Sequence, residues 1–460
     1  MRKHIKNMRI HFIAIGGSAM HNLAIALANK NHTITGSDDE IFEPARSRLD
    51  KYGLLPKEIG FKKENITPDI EAIILGMHAK SDNPELLEAQ RLDIKIYSYP
   101  EFLYEMSKDK KRIVIGGSHG KTTITAMILH AMKTSCIETD YMVGALLEGF
   151  DVMVKITDSA KYMVLEGDEY LTSTIDRRPK FHLYQPNIAL ISGIAWDHIN
   201  VFPTFENYVL QFKIFTNKIS PKGLLIYYKG DKNVSRLASA AREDIKRIPY
   251  SILPHIINNG ITTVLWEGKQ YEMEVFGQHN LANMYGAMLV CAAIGINNHD
   301  FLKAMTTFKG ASKRLECVKK NNHIAVYKDF AHSPSKITAT ISALKEQFPL
   351  RRLVAVLELH TFSSLSKEFL VQYSGTMDKA DRAIVYFSKE AIELKRLPMI
   401  STQDVKEGFA RADLQVYTQT EDVRKAIMEE KWQDCNLLMS SSGDFCGINV
   451  EDLAKEIIAD

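Results

Sequence analysis

Ile113-Val114-Ile115-Gly116-Gly117-Ser118-His119-Gly120-Lys121-Thr122-Thr123 is the stretch on which the reading of this chain turns. A short apolar run leads into it, and Thr125-Ala126-Met127-Ile128-Leu129-His130 leaves it with helical character. Strand, glycine turn and helix together form the setting in which backbone N–H groups cradle a polyphosphate. A lysine then reaches the outer phosphates and a threonine hydroxyl meets Mg²⁺. The usual spacing puts four residues between two glycines, and position 115, where the first would fall, is isoleucine. An ordinary helix start could also carry Gly-Lys-Thr, but two further glycines and the apolar approach favour a nucleoside triphosphate site.

Working outward, a chain of 460 residues is too long for one core and divides most naturally into two or three domains. Apolar residues at 45% and charged residues at 25% describe an ordinary soluble protein rather than a disordered or membrane one. A net charge of +2 gives no global electrostatic case for nucleic acid. Cys136, Cys291, Cys317, Cys435 and Cys446 form neither a metal-ligand spacing nor a disulfide framework, so buried free thiols in a reducing compartment are expected. The basic start, Met1 to Met8, runs into a strand-like segment rather than a signal-peptide core, and no stretch reaches transmembrane length. A cytoplasmic protein is expected.

The hydrophobic rhythm is that of an α/β chain with parallel sheets. Residues 9–15 read as a strand, Gly16-Gly17-Ser18-Ala19-Met20 turns into a helix reaching about Asn29, and His32 to Asp38 is a second strand. The third glycine of a dinucleotide fingerprint is absent, so this turn suits a diphosphate without implying a dehydrogenase. A second unit carries the strand at 112–115, a strand at 162–165 with Glu166-Gly167-Asp168-Glu169 beyond it, and a strand at 188–192 leading to Trp196-Asp197-His198. Runs at 224–228 and 262–266 suggest a small antiparallel elaboration, followed by a helix from about Asn280 to Ala293. A third unit repeats the α/β rhythm with strands at 325–330, 352–357, 382–386 and 436–439. The expected domains are 1–107, 108–311 and 312–460.

A phosphate loop needs a metal, and the metal needs donors on rigid elements. Glu166 is the first choice and His198 the second; a solvated strand end and a supporting hydrogen-bonding role are their plainer readings. Asp168 and Glu169 stay open between loop, supporting and substrate-contacting roles. Asn280 and Asn283 place two amides on one helix face, able to read a purine edge because amides donate and accept together. Asn280 as a simple helix cap competes with that reading. Arg314, beside Lys313, could close on phosphate, Asp329 could accept from a ribose hydroxyl, and His332 could be structural.

At this point the motifs resemble those of the Mur ligases, ATP-dependent amide-forming enzymes that build the cell-wall peptide. That family uses a shortened loop, Gly-Thr/Ser-X-Gly-Lys-Thr/Ser, which Gly117-Ser118-His119-Gly120-Lys121-Thr122 fits and which accounts for the isoleucine at 115. The resemblance runs through residues 11–20, Asp82-Asn83-Pro84-Glu85, Glu166 to Glu169, Asp197-His198, Gly277 to Asn280 with Asn283, and Asp329 to Pro334. It implies a three-domain architecture: a Rossmann-like first domain, a central phosphate-loop domain and a Rossmann-like third domain closing on ATP and the amine.

The resemblance also implies roles. Lys121, Glu166 and His198 would be catalytic, with Thr122, Glu166 and His198 holding Mg²⁺. ATP would meet Gly117 to Thr123, His279, Asn280, Asn283, Arg314 and Asp329. UDP-N-acetylmuramate and the amine would meet Gly16, Gly17, Ser18, Ala19, Met20, Ser37, Asp38, Asn83, Arg177, Arg178, His332 and His360. Between the alanine-adding and peptide-adding branches, residues 169–181 and 439–448 are more similar to the peptide-adding one. That branch takes L-alanyl-γ-D-glutamyl-meso-diaminopimelate recovered from old wall, and Arg177, Arg178 and Lys180 could meet its carboxylates; a solvated charge cluster is the plain alternative. Two departures stand out. Gln211-Phe212 places an aromatic where many relatives carry a carbamylated lysine, with Lys213 one residue beyond. Glu358-Leu359-His360-Thr361-Phe362-Ser363-Ser364 differs from the peptide-adding pattern. The resemblance thus implies a ligase that joins UDP-N-acetylmuramate to the tripeptide in peptidoglycan recycling, with the L-alanine-adding reaction of new synthesis as the alternative.

Overall fold

Strands β1 (Arg9–Ile13), β2 (Thr33–Ser37), β3 (Ala72–Leu75) and β4 (Ile96–Ser98) form an all-parallel sheet in the order β2-β1-β3-β4. The computed structural model describes residues 7–147, 149–150, 152–311 and 314–458. Met1 to Lys6, Lys313 and the expected boundary at 312 therefore lie outside the described residues. The chain divides into two compact units, 1–194 with 209–250 and 195–208 with 251–460.

The first unit holds that sheet and a second one. The latter comprises β5 (Lys111–Gly116), β6 (Thr139–Met142), β7 (Val154–Lys155), β8 (Tyr162–Gly167), β9 (Ile188–Ile191), β10 (Leu224–Tyr228) and β11 (Lys246–Tyr250). Its order is β11-β10-β9-β5-β8-β6-β7, parallel throughout except for the β6–β7 pair. Ile113, Val114 and Ile115 are all fully buried, an unbroken apolar run of the kind a central parallel strand requires. Because β5 pairs with β8 on one side and β9 on the other, the loop leaving β5 opens at a reversal of strand order, where ligands bind in open α/β sheets.

The run at 224–228 is not part of an antiparallel elaboration. It is β10, parallel to both β9 and β11, and the helix Lys232–Ser239 makes the crossover that parallel pairing demands. The antiparallel expectation holds for β12 (His255–Asn258), β13 (Ile261–Trp266) and β14 (Lys269–Met273) in the second unit. The other sheet of that unit comprises β15 (Glu316–Lys320), β16 (Ile324–Asp329), β17 (Arg352–Glu358), β18 (Arg382–Tyr386), β19 (Gln415–Tyr417) and β20 (Cys435–Ser440). Its order is β15-β16-β20-β17-β18-β19, with only β15 antiparallel to its neighbour. Two apolar layers cover its faces, one around Leu344, Leu357 and Phe387, the other around Val326, Val356 and Ile427. All five cysteines are free, but only Cys291 and Cys435 are buried. Cys136 and Cys446 sit in left-handed turns at the surface, where chain geometry rather than apolarity sets exposure. Among the described residues no helix is long and apolar enough to cross a membrane.

One buried ion pair ties the second sheet to its flank. Lys110 Nζ donates to Asp140 Oδ2 at 2.6 Å and to the carbonyls of Thr157 and Ala160 at 2.6 and 3.2 Å, with both side chains buried. Removing one partner strands the other charge without solvent. Asp140→Ala is expected to lower stability by about 3–5 kcal/mol, read as a shift of the urea midpoint.

Candidate active site

Lys121 and Thr122 open the helix Lys121–Thr134 directly after Gly120, whose φ of +79° favours glycine. Gly117 turns at φ +136°, and a β-carbon there would stand 2.1 Å from Ser192 Oγ. The loop lies against the residues that follow β9. Ser118 N donates to Gly193 O at 3.0 Å, Ser192 N donates to Gly116 O at 3.1 Å, and Ser192 Oγ donates to His119 O. The His119 ring covers Gly193, where a β-carbon would come within 2.4 Å of Nε2.

The lysine and the threonine that end the loop are each held by an acid. Lys121 Nζ donates to Glu169 Oε2 and to Gly117 O, both at 2.6 Å. Burial works against the ammonium charge, but Glu169, Asp168 and Glu166 outweigh it, so the Lys121 pKa is raised and the group stays charged. Thr122 Oγ1 donates to Glu166 Oε1 at 2.7 Å, and Gly144 N holds the other oxygen at 2.8 Å. Glu166 lies within β8, near its carboxyl end, rather than after it. A threonine hydroxyl and a carboxylate are hard oxygen donors, the chemistry that Mg²⁺ takes.

Of the two open acids, Glu169 is therefore Lys121's partner, while Asp168 pairs with Lys180 at 2.6 Å. Arg178 is forked onto Asp176 at 2.6 Å, with Glu101 3.6 Å away; Arg177 is exposed. Lys213 is exposed, while Phe212 is buried edge-on against Phe181 with ring centroids 5.4 Å apart.

At the first turn of the chain, Gly16 N donates to Asp38 Oδ2 at 2.6 Å, and a β-carbon on Gly16 would lie 2.9 Å from that oxygen. Ser18, Ala19 and Met20 begin the helix Ser18–Ala28, with Met20 turned into the core. Ser37 Oγ donates to the fully buried Glu85, which also accepts from Asn65 Nδ2 at 2.7 Å and Lys62 N at 3.0 Å. Asn83 Oδ1 caps the helix Pro84–Arg91 by accepting from Glu85 N and Leu86 N at 2.9 and 3.2 Å.

In the second unit, Gly277 is the residue that caps the helix Gln278–Ala292, so Asn280 is not its cap. Asn280 Nδ2 turns back to Phe276 O at 2.9 Å, and Asn283 is buried one turn on. Burial pushes the His279 imidazole down, while the Asp329 charge pulls the other way. Asp329 accepts from Thr340 Oγ1 at 2.6 Å, and Arg314 lies over the Phe330 ring, 4.9 Å from its centroid. His332 Nδ1 faces Phe330 O at 2.8 Å; burial and Lys336 push its pKa down to about 3. Asp197 accepts from His198 N at 2.8 Å and has Lys336 Nζ at 3.7 Å. Burial opposes its charge, but Lys336, His198 and His332 hold the carboxyl down at about 2. His360 Nδ1 lies 3.8 Å from the buried Glu358, which accepts from Ser441 Oγ and, at 2.9 Å, from Phe445 N. A cavity of about 400 Å³ opens past the ends of β16 and β20, lined by Asp329, Phe330, Ser441, Ser442, Gly443 and Asp444 among others.

A lysine, a threonine and a helix N-terminus converging on a glycine loop, on a parallel sheet, define a nucleotide-using enzyme. The chain matches family models along most of its length: the Mur ligase family catalytic domain over 9–111, the Mur ligase middle domain over 115–291, and the Mur ligase glutamate ligase domain over 313–442. The UDP-N-acetylmuramate–L-alanine ligase of Caldicellulosiruptor bescii is 32% identical over 390 residues, spanning 81% of this chain and 82% of its own. Two solved structures share the fold over 98% of both chains. They are a UDP-N-acetylmuramate-alanine ligase from Thermotoga maritima (TM-score 0.69, 18% identity) and a murein peptide ligase from Psychrobacter arcticus (0.64, 22%). This chain belongs to the Mur ligase family, with that family's three-domain architecture, and is an ATP-dependent, ADP-forming ligase of peptidoglycan synthesis.

Asp38 yields a pH test. Burial pushes its carboxyl up to about 6, Asp39 adds to the rise, and the Gly16 N–H opposes it. Between the ordinary carboxylate range and 6 the folded chain keeps a proton that the unfolded chain has released, so stability falls as pH rises through that window. The stability that falls across that window, about 1–2 kcal/mol, is expected to be missing from the pH profile of Asp38→Asn, whose own stability at low pH serves as its reference. Thermal melts across that range check it.

Proposed function

We propose that this ligase joins the carboxylate of UDP-N-acetylmuramate to the amine of L-alanine. The nucleotide loop, with Lys121 held on Glu169 and Thr122 on Glu166, is the observation that carries the ATP half of the reaction. The Caldicellulosiruptor bescii relative, aligned over most of both chains, supports the alanine half. Residues 1–107 bind UDP-N-acetylmuramate, 108–311 carry the ATP chemistry, and 312–460 close on ATP and the amine, in the cytoplasm where ATP is supplied.

In this reading a carboxylate oxygen attacks the γ-phosphorus and the bond to the β-phosphate oxygen breaks, leaving ADP and an acyl phosphate. Lys121 transfers from Glu169 to the γ-phosphate and, with the loop N–H groups, stabilises the charge that develops there. The amine nitrogen then attacks the acyl carbon, and inorganic phosphate leaves as the amide forms. Thr122, Glu166 and His198 would hold Mg²⁺, which would supply positive charge against the phosphate oxygens when bound. His279, Asn280 and Asn283 face the base, Arg314 the phosphates and Asp329 the ribose. Gly16, Gly17, Ser18, Ala19, Met20, Ser37, Asp38 and Asn83 bind the diphosphate sugar, while His332 and His360 line the amine side.

A second reading takes L-alanyl-γ-D-glutamyl-meso-diaminopimelate as the amine. The cavity beside Ser441 to Asp444 favours it, being far roomier than one small amino acid fills. Arg178 and Lys180, already paired with Asp176 and Asp168, lend it little. Phosphate release is the test. Turnover is expected with ATP, UDP-N-acetylmuramate and L-alanine together, and none when any one is omitted. Turnover with the tripeptide alone sinks the alanine reading. Lys121→Ala is expected to lower kcat by at least about 10²-fold.

A further inference from the structure

Ser192 and Gly193 supply the closest outside contacts at Gly117, where the nucleotide loop turns. Both lie beyond the end of β9 at Ile191, where the sheet ladder runs out with a last backbone bond from Ser192 N to Gly116 O. The next residue is pinned instead. Ile194 N donates to Asp231 Oδ2 at 2.7 Å, and one residue later the chain leaves the first unit. The other oxygen of the same carboxylate is engaged elsewhere. Asp231 Oδ1 accepts from Asn233 N at 2.8 Å and Val234 N at 3.1 Å, capping the helix Lys232–Ser239. That helix buries Val234, Leu237 and Ala238 and packs on β10, which pairs with β9. One carboxylate therefore closes a ring: β9, residues 192–194, Asp231, the capped helix and β10.

We propose that Asp231 is a positioning residue for the nucleotide loop, acting through Ile194 on Ser192 and Gly193. The inference rests on the loop's being the ATP site. Its two oxygens do different jobs, and this makes the role separable from an ordinary helix cap. In Asp231→Asn, Oδ1 still caps the helix, but an NH₂ group now meets the Ile194 N–H, donor against donor. Asp231→Ser also caps, and its shorter side chain falls short of Ile194.

The experiment uses the full-length protein. Fluorescent N-methylanthraniloyl-ADP is titrated into wild type and both variants, alongside thermal melts and separate KM values for ATP and UDP-N-acetylmuramate. Both variants are expected to melt close to wild type, to bind the nucleotide roughly tenfold more weakly and to raise the ATP KM in step. The UDP-N-acetylmuramate KM is expected to stay put. Wild-type nucleotide affinity in both variants overturns the proposal, and so does an equal loss for both substrates. Failure of both variants to fold also overturns it, because the cap is retained and Asp231 would then be holding the fold rather than the loop. A wild-type protein that binds no nucleotide defeats the ATP-site reading itself, and the inference with it.

Discussion

At Gly117 the backbone turns at φ +136° with the hydroxyl of Ser192 standing where a side chain would begin. That close approach is the constraint on which the rest depends. It lets the loop lie flat against the end of β9, and it brings Lys121 and Thr122 to the first turn of their helix. Any side chain at 117 would meet both an unfavourable dihedral and an occupied space. The loop's shape is thus set by steric exclusion at one atom. Hydrogen bonds from Ser118 and Ser192 then hold what the missing side chain permits.

The same loop shows what was legible in the sequence and why. Gly116 to Thr123 could be read because strand, turn and helix starter are adjacent in the chain, and each carries its own local chemistry. The parallel strands were visible where both faces are buried, as at Ile113 to Ile115. The run at 224–228 misled because strand direction is not a local property: it is decided by the crossover helix and by β11, which comes later. The partner of Lys121 was hidden for a related reason. Asp168 and Glu169 are neighbours of like charge, and only the tertiary path sends one to Lys121 and the other to Lys180. Ser192 and Gly193 give no signal of their own, since they act on residues some seventy positions away.

Cysteine exposure and the cation cluster make the same point from the opposite side. Composition described five thiols of one kind, yet backbone turns put Cys136 and Cys446 at the surface. Arg178 and Lys180 read as a receiver for carboxylates, and the fold pairs them with Asp176 and Asp168, partners that the run of cations does not announce. Glu358 is likewise held by residues distant in the chain, Ser441 and Phe445, which also line the cavity past β16 and β20.

Lys121, Thr122 and the amide of Gly16 share one further property: each is already hydrogen-bonded to a carboxylate. On the function proposed above, Lys121 and the Gly16 amide are phosphate donors kept in reserve, satisfied by the protein's own anions. A ligand arriving there does not fill a void but enters a trade, anion for anion. A neutral molecule has nothing to offer Lys121 in place of Glu169, and so the resting loop discriminates by charge before it discriminates by shape.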